Sequence, residues 1–193
     1  VKLILASKSK VRKQILDNHN IISEVQPSSI DEEPIKQSLL KEKNSPEIIS
    51  KNLAEIKACR VSKKNFDALV LGADSVIDLS GELISKPNDR KEALNILKKL
   101  NGKKHNLISS VCISKNGSMI WHHTEKATLT MKDFKDEDLS EYLSKISDES
   151  LYSYNVYQIE GLGKNLFLKI DGDKDTIMGL PVKKIKEYLE NYI

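Results

Sequence analysis

Three groups of residues have the types and spacing to do chemistry. The first is Ser7-Lys8-Ser9-Lys10-Val11-Arg12, which follows a short apolar run and opens a helical pattern. A helix start offers unpaired N–H groups and a positive dipole end, so hydroxyls and cations gathered there suit a phosphate. The same residues also read as a helix cap with solvated lysines. The second is Asp74, where an apolar strand pattern breaks at Gly72. An acid at the end of a buried strand is costly unless paired, hydrated or bound to a metal. The alternative is a turn-forming Asp close to a glycine. The third is Asp31-Glu32-Glu33 before Pro34, either a helix-start acid run or a source of an oxygen ligand for Mg²⁺. Lys57, inside a long helical pattern, and Lys86, in Ser85-Lys86-Pro87, add two cations. Each lysine alone reads as a surface residue.

Other chemistries lose support. The chain has no G-x-x-x-x-G-K-[ST] loop and no GxGxxG, and Gly161-Leu162-Gly163-Lys164 is too short to serve. His105, His122 and His123 show no spacing of a structural or hydrolytic zinc site. Trp121-His122-His123 reads instead as a strand alternating its faces. No serine or cysteine nucleophile with a base beside it is evident.

The elements that must position these groups follow from periodicity. Strands are expected at 2–6, 68–79, 82–84, 105–114, 119–130, 151–159 and 166–170. Helices are expected at 8–18, 45–60, 89–100, 136–145 and 182–192. Ser7 or Ser9 caps the first helix, and Ser45-Pro46-Glu47 starts the second with an N-cap, a first-turn proline and an acid. In the third, Ala93, Leu94, Leu97 and Leu100 face inward and Gly102 stands just past the end. Ser80-Gly81 and Asn116-Gly117 mark turns. The result is an α/β fold whose sheet is mixed and partly antiparallel, in one domain over 1–193.

Composition narrows the class. With 193 residues, of which 39% are hydrophobic and 31% charged, the chain is long enough to bury a core. A formal charge of +3 and only one Trp, six Tyr and three Phe argue against a nucleic-acid binder. No apolar run reaches the ~18–20 residues of a membrane span, and the first residues are too short for a secretory segment. Cys59 and Cys112 fit neither a disulfide framework nor a metal knuckle. A cytoplasmic protein is expected.

The order of the motifs resembles the Maf family of nucleoside triphosphate pyrophosphatases over nearly the whole chain. LILASKSKVRKQIL is similar to its N-terminal signature and VLGADSVIDLSGELISKP to its central one. LKKLNGKKHNLISSV resembles the next segment, and QIEGLGKNLFLKIDGDKDTIMGLPV resembles the C-terminal signature ending in Gly179-Leu180-Pro181. The resemblance implies an elongated α/β structure with a cleft between two lobes, similar to the inosine triphosphatase fold. It implies Asp74 as catalytic acid/base, with Ser7, Arg12, Lys57 and Lys86 along the triphosphate and Glu32 facing metal and phosphates. It further implies a Mg²⁺ or Mn²⁺ cofactor held by Glu32 and Asp74, a homodimer, and cleavage to the monophosphate and pyrophosphate.

Departures from the family pattern bear on the base. Lys10 replaces a usual proline, and Asp173-Lys174 a usual Asp-Tyr. The pyrimidine-acting subgroup has Arg, Thr and Gln where this chain has Val11, Ser75 and Glu160. The 7-methyl-GTP-acting subgroup has Trp, Gln and Glu there, so only Glu160 agrees. These three are the specificity positions. A carboxylate can accept from the two adjacent donors of a guanine-type base, so Glu160 is expected to favour guanine-like substrates, including 7-methyl-GTP, over UTP and dTTP. The competing expectation for Glu160 is a solvent-facing residue or a cap for the turn at Gly161. A competing functional reading is a non-catalytic nucleotide-binding regulator of cell division.

Overall fold

The computed structural model describes residues 1–192. Strands are β1 (Leu3–Leu5), β2 (Glu24–Val25), β3 (Leu69–Leu79), β4 (Glu82–Ile84), β5 (Lys104–Lys115), β6 (Ser118–Met131) and β7 (Phe167–Asp171). Helices are α1 (Lys10–Asn18), α2 (Glu32–Lys41), α3 (Pro46–Ser62), α4 (Arg90–Leu100), α5 (Asp136–Ser144), α6 (Asp148–Tyr154), α7 (Lys174–Ile177) and α8 (Val182–Tyr192), with a 3₁₀ turn at Leu162–Leu166. The strands form one mixed sheet in the order β2-β1-β3-β5-β6-β7, with β4 beside β3. β1 runs parallel to β2 and β3, and the remaining pairings are antiparallel.

One strand decides where a site can form. β5 covers residues 70–78 of β3 along one edge. On the other edge β1 pairs with residues 69–71 and β4 with 77–79. Among the described residues no strand pairs with 72–76 on that edge, and Asp74 stands in the middle of this opening. The hydrophobic packing divides at the same place. Leu69, Leu71 and Ala73 pack with Leu5, Ile15, Leu16 and Ile185, and Val70 packs with Ala54 and Ala58 of α3. Ile77 and Leu79 pack with Leu97, Leu100 and Leu139. Burying each such leucine contributes about 2 kcal/mol, so both ends of β3 are firmly anchored. The polar stretch lies between the two anchors.

The turns follow their chemistry. Asn116 and Gly117 both have positive φ, 51° and 82°, as a tight two-residue hairpin requires. Ser45 accepts from the Ile48 N–H, with Pro46 in the first turn, as the sequence predicts.

Several expectations need correction. Residues 151–159 do not form a strand; α6 occupies 148–154. Ser147 caps it by accepting from the Ser150 N–H, Asp148 and Glu149 sit at its positive end, and Asn155 stops it at φ 67°. That cap signal outweighs the apolar alternation that reads as β. The acid run at 31–33 starts a helix, α2, that the five expected helices do not include, and β2 is a further omission. Leu94 is only partly buried. Trp121 and His123 share one face and stack with centroids 6.2 Å apart, in line with the alternation expected there. Ile193, the end of the expected domain, lies outside the described residues. Among the described residues, no helix is long and apolar enough to cross a membrane.

Candidate active site

The opening beside residues 72–76 is the mouth of a cleft of about 650 Å³. Lys57, a residue of α3, reaches it because α3 lies directly on β3. A Cβ built on Gly72 would stand 2.1 Å from the Ala54 carbonyl oxygen and 2.9 Å from the Ala58 Cβ. A glycine inside a strand that marks a close backbone approach is a known signal, and here it sets the height of the helix. From that height Ser50 donates its hydroxyl to the Asp74 carbonyl at 3.1 Å, tying α3 to the strand at the residue opposite Ser110 of β5.

Lys57 Nζ lies 3.0 Å from Asp74 Oδ1 and 3.0 Å from Glu32 Oε1. Asp74 is 7% exposed and Lys57 6%, so the pair is desolvated. Burial pushes the Asp74 carboxyl up, while Lys57 and Arg12 pull it back toward the charged form. The second Asp74 oxygen, Oδ2, is buried without a hydrogen-bond partner. Leaving a buried carboxylate oxygen unsatisfied is expensive, and this one belongs to a residue that lines the cleft.

Arg12 is held in place by its neighbours. Its Nε donates to the Gly179 carbonyl at 2.9 Å, Nη1 to the Ser7 hydroxyl at 3.2 Å and Nη2 to the Ser75 hydroxyl at 3.2 Å. Ser109 donates to the Thr176 carbonyl at 2.7 Å, so at the 2.8 Å Ser75–Ser109 contact Ser75 must be the donor. A polarised chain thus runs from Arg12 through two serines to a carbonyl. Gly179 has φ 113°, and a Cβ there would lie 3.3 Å from Arg12 Nε. The N-terminal, central and C-terminal motifs meet at this guanidinium.

Lys86 lines the cleft from the loop between β4 and α4. Its pKa is lowered, first by burial against surrounding protein and then by the positive charge of Arg12. Lys86 as a whole residue is exposed to solvent.

The expected site residues therefore divide. Arg12, Glu32, Lys57, Asp74, Ser75, Lys86 and Val11 line one cleft. Ser7 does not line it; Ser7 holds Arg12 and borders a smaller cavity of about 70 Å³ that also touches Lys57. The helix cap is Ser9, which accepts from the Arg12 N–H, so Ser7 is left for the guanidinium. The structure does not bring Glu160 to the cleft. Its carboxylate pairs with Lys174 at 2.6 Å on the surface, and Asn155, Tyr157, Gln158 and Ile159 line the cleft instead. Lys174, the departure from the usual Asp-Tyr, is the residue that engages it. Sequence reasoning missed Ser50, Ser109 and Thr176, which act across strands and carry no local signal. Gly72 did carry one, as an isolated glycine in a strand pattern.

The donor set suits a hard cation. Mg²⁺ is commonly bound by one or two carboxylates together with substrate phosphates, and Glu32, Asp74 and the unsatisfied Asp74 Oδ2 fit that pattern. Among the described residues no group of three or more His, Cys, Asp or Glu is arranged to hold a metal.

The family model described as Maf-like protein matches residues 2–192. The chain belongs to the Maf family. A Pelagibacter ubique protein named nucleoside triphosphate pyrophosphatase is 67% identical, over 98% of this chain and 97% of its own length. A Brucella abortus protein named 7-methyl-GTP pyrophosphatase is 40% identical, over 94% of this chain and 92% of its own. Among solved structures, the Staphylococcus aureus Ham1 protein aligns over 100% of both chains with a TM-score of 0.44 and 14% identity. Within the Maf family assignment, the motifs that carry the resemblance are those that converge on Arg12 and Asp74.

Proposed function

We propose that this chain hydrolyses nucleoside triphosphates to the nucleoside monophosphate and pyrophosphate. The observation that carries the reading is the convergence of Lys57, Arg12 and Lys86 on a cleft whose floor is the buried Asp74. A triphosphate carries about four negative charges, and phosphoryl chemistry asks mainly for positioning and charge stabilisation. Arg12, locked by Gly179, Ser7 and Ser75, supplies fixed positive charge, and the two lysines add to it. Asp74 accepts the proton of the water that attacks the α-phosphorus, the P–O bond to the β-phosphate breaks, and its electron pair leaves on pyrophosphate. Burial raises the basicity of Asp74, and Lys57 and Arg12 offset that in part by favouring its charged form. Glu32 and Asp74 would hold Mg²⁺ or Mn²⁺, which supplies further charge neutralisation on the phosphates.

The reading takes residues 1–193 as one catalytic domain, because β3 and β5 run through both hydrophobic clusters, and places it in the cytoplasm, in keeping with the free cysteines Cys59 and Cys112. Guanine-like substrates, 7-methyl-GTP among them, are the first to test, supported by the names of relatives such as the Brucella abortus protein. The test is a pyrophosphate-release screen over standard and modified triphosphates with Mg²⁺ or Mn²⁺. Release from at least one triphosphate supports the reading. Release from none, with intact fold, overturns it.

A further inference from the structure

The Lys57 ammonium serves two carboxylates in this cleft. Lys57 Nζ is 3.0 Å from Glu32 Oε1 and 3.0 Å from Asp74 Oδ1, so these two oxygens already converge on one cation-sized position. A third oxygen, Asp74 Oδ2, is buried beside them with no partner. The hydrogen-bond donors of Arg12 engage Gly179, Ser7 and Ser75, so Arg12 gives this oxygen positive charge nearby but no hydrogen bond. Three carboxylate oxygens thus gather around the position that the ammonium holds, a donor set that a hard divalent cation could also take.

We infer that Lys57 and a divalent cation are alternative occupants of the Glu32–Asp74 pair, and that cation entry transfers the Lys57 ammonium to the substrate's distal phosphates. The inference rests on the metal-dependent hydrolysis proposed above. The physical ground is exclusion. A divalent ion touching Glu32 and Asp74 would stand within a few ångströms of the ammonium, where like charges in a poorly hydrated cleft repel strongly. Lysine can yield, because it is a compact charge on a flexible four-carbon stem.

There is a place for it to go. Lys57 borders both the main cleft and the smaller cavity of about 70 Å³. That second cavity is lined by Ser7, Lys8, Ser28 and Ser29 and contains no carboxylate. It lies at the carboxyl ends of the parallel strands β1 and β2, where open α/β sheets gather ligands. Hydroxyls and lysines without acids suit phosphate oxygens, so the ammonium exchanges one set of anionic oxygens for another. Two consequences follow. Without nucleotide, Lys57 acts as a plug that weakens metal binding. With nucleotide, metal and triphosphate favour each other through the same side chain, and that coupling is reciprocal.

The test is calorimetric titration of Mn²⁺ alone into the native chain and into Lys57→Met, Lys57→Arg and Glu32→Gln. The expected result is about tenfold tighter binding or more in Lys57→Met, within the usual span of coupling between sites. Lys57→Arg keeps the positive charge and does not tighten, and Glu32→Gln weakens binding. Unchanged or weaker affinity in Lys57→Met overturns the inference, as does unchanged affinity in Glu32→Gln. Should Lys57→Met fail to fold, ¹⁵N NMR of lysine ammonium groups in the native chain decides. The Lys57 Nζ resonance is expected to shift on adding Mg²⁺ without nucleotide, and a static resonance overturns the exchange. Neither readout depends on turnover. A chain that releases no pyrophosphate would still report its metal affinity, and a failed metal result would leave the pyrophosphate assay standing.

Discussion

Gly72 lies so close to Ala54 that a Cβ added to it would stand 2.1 Å from the Ala54 carbonyl oxygen. That contact is with backbone, so no side-chain rotation relieves it. Gly72→Ala must lift α3 from β3, moving Lys57 away from Asp74 and Ser50 away from the Asp74 carbonyl. A loss of about 1–3 kcal/mol is expected from overpacking, with kcat reduced about 10²-fold because misplacing a catalytic group by ~1 Å costs that much. Denaturant unfolding and pyrophosphate release measure the two effects. Native stability and turnover in the variant would mean that the helix height does not matter.

Asp74→Asn is nearly isosteric and removes the proposed proton acceptor. It is expected to keep the fold and bind triphosphate at least as well, since one negative charge leaves the cleft. Its kcat should fall by about 10²-fold or more. Near-native turnover would remove Asp74 from the mechanism.

Ser50→Ala leaves the Asp74 carbonyl without its 3.1 Å hydroxyl donor in a buried position. The cost is about 0.5–1.5 kcal/mol of stability, that of one hydrogen bond. Ser50→Thr restores a hydroxyl and should recover part of it in the same unfolding experiment; equal losses in both variants would assign the effect to packing.

His105 is 2% exposed, and burial lowers its pKa from 6.5 to about 4. Its Nε2 meets the Tyr157 hydroxyl at 2.9 Å, while Nδ1 is buried without a partner. Because the folded pKa is depressed, the unfolded chain takes up the proton first as pH falls. The stabilising contribution is therefore complete above about pH 6.5 and is lost progressively down to about pH 4, by about 3 kcal/mol. His105→Gln cannot titrate and should lose correspondingly less over that interval. Parallel pH profiles for the two proteins, from urea midpoints, would contradict the assignment.

Glu160→Gln breaks the surface pair with Lys174 and nothing that lines the cleft. The ranking of kcat/KM among GTP, 7-methyl-GTP, UTP and dTTP is expected to stay unchanged. A reordering would show that Glu160 leaves Lys174 and enters the cleft during turnover.

Much of this site is legible in the residues themselves. The helix starts at Ser9 and Ser45 are local signals, and so are the turns at Gly81 and Gly117. Asp74 announces itself as an acid in an apolar strand. The partnership of Arg12 with Gly179 is not local. It joins positions 167 residues apart and depends on β3 and β5 bringing Ser75 to Ser109. The error at 151–159 has a plain cause, because a seven-residue helix contributes too few turns for its periodicity to outweigh alternating apolar residues. Glu160 fails to reach the cleft for a reason one residue type cannot reveal. Its charge is taken by Lys174, a residue well along the chain.

The most direct measurement of the central claim is hydrolysis of a preferred triphosphate in ¹⁸O-labelled water, with mass analysis of both products. Attack at the α-phosphorus, as the proposed role of Asp74 requires, puts the label in the nucleoside monophosphate and none in pyrophosphate. Label in pyrophosphate would place the attack on the β-phosphorus and contradict Asp74 as the base that activates water against the α-phosphorus.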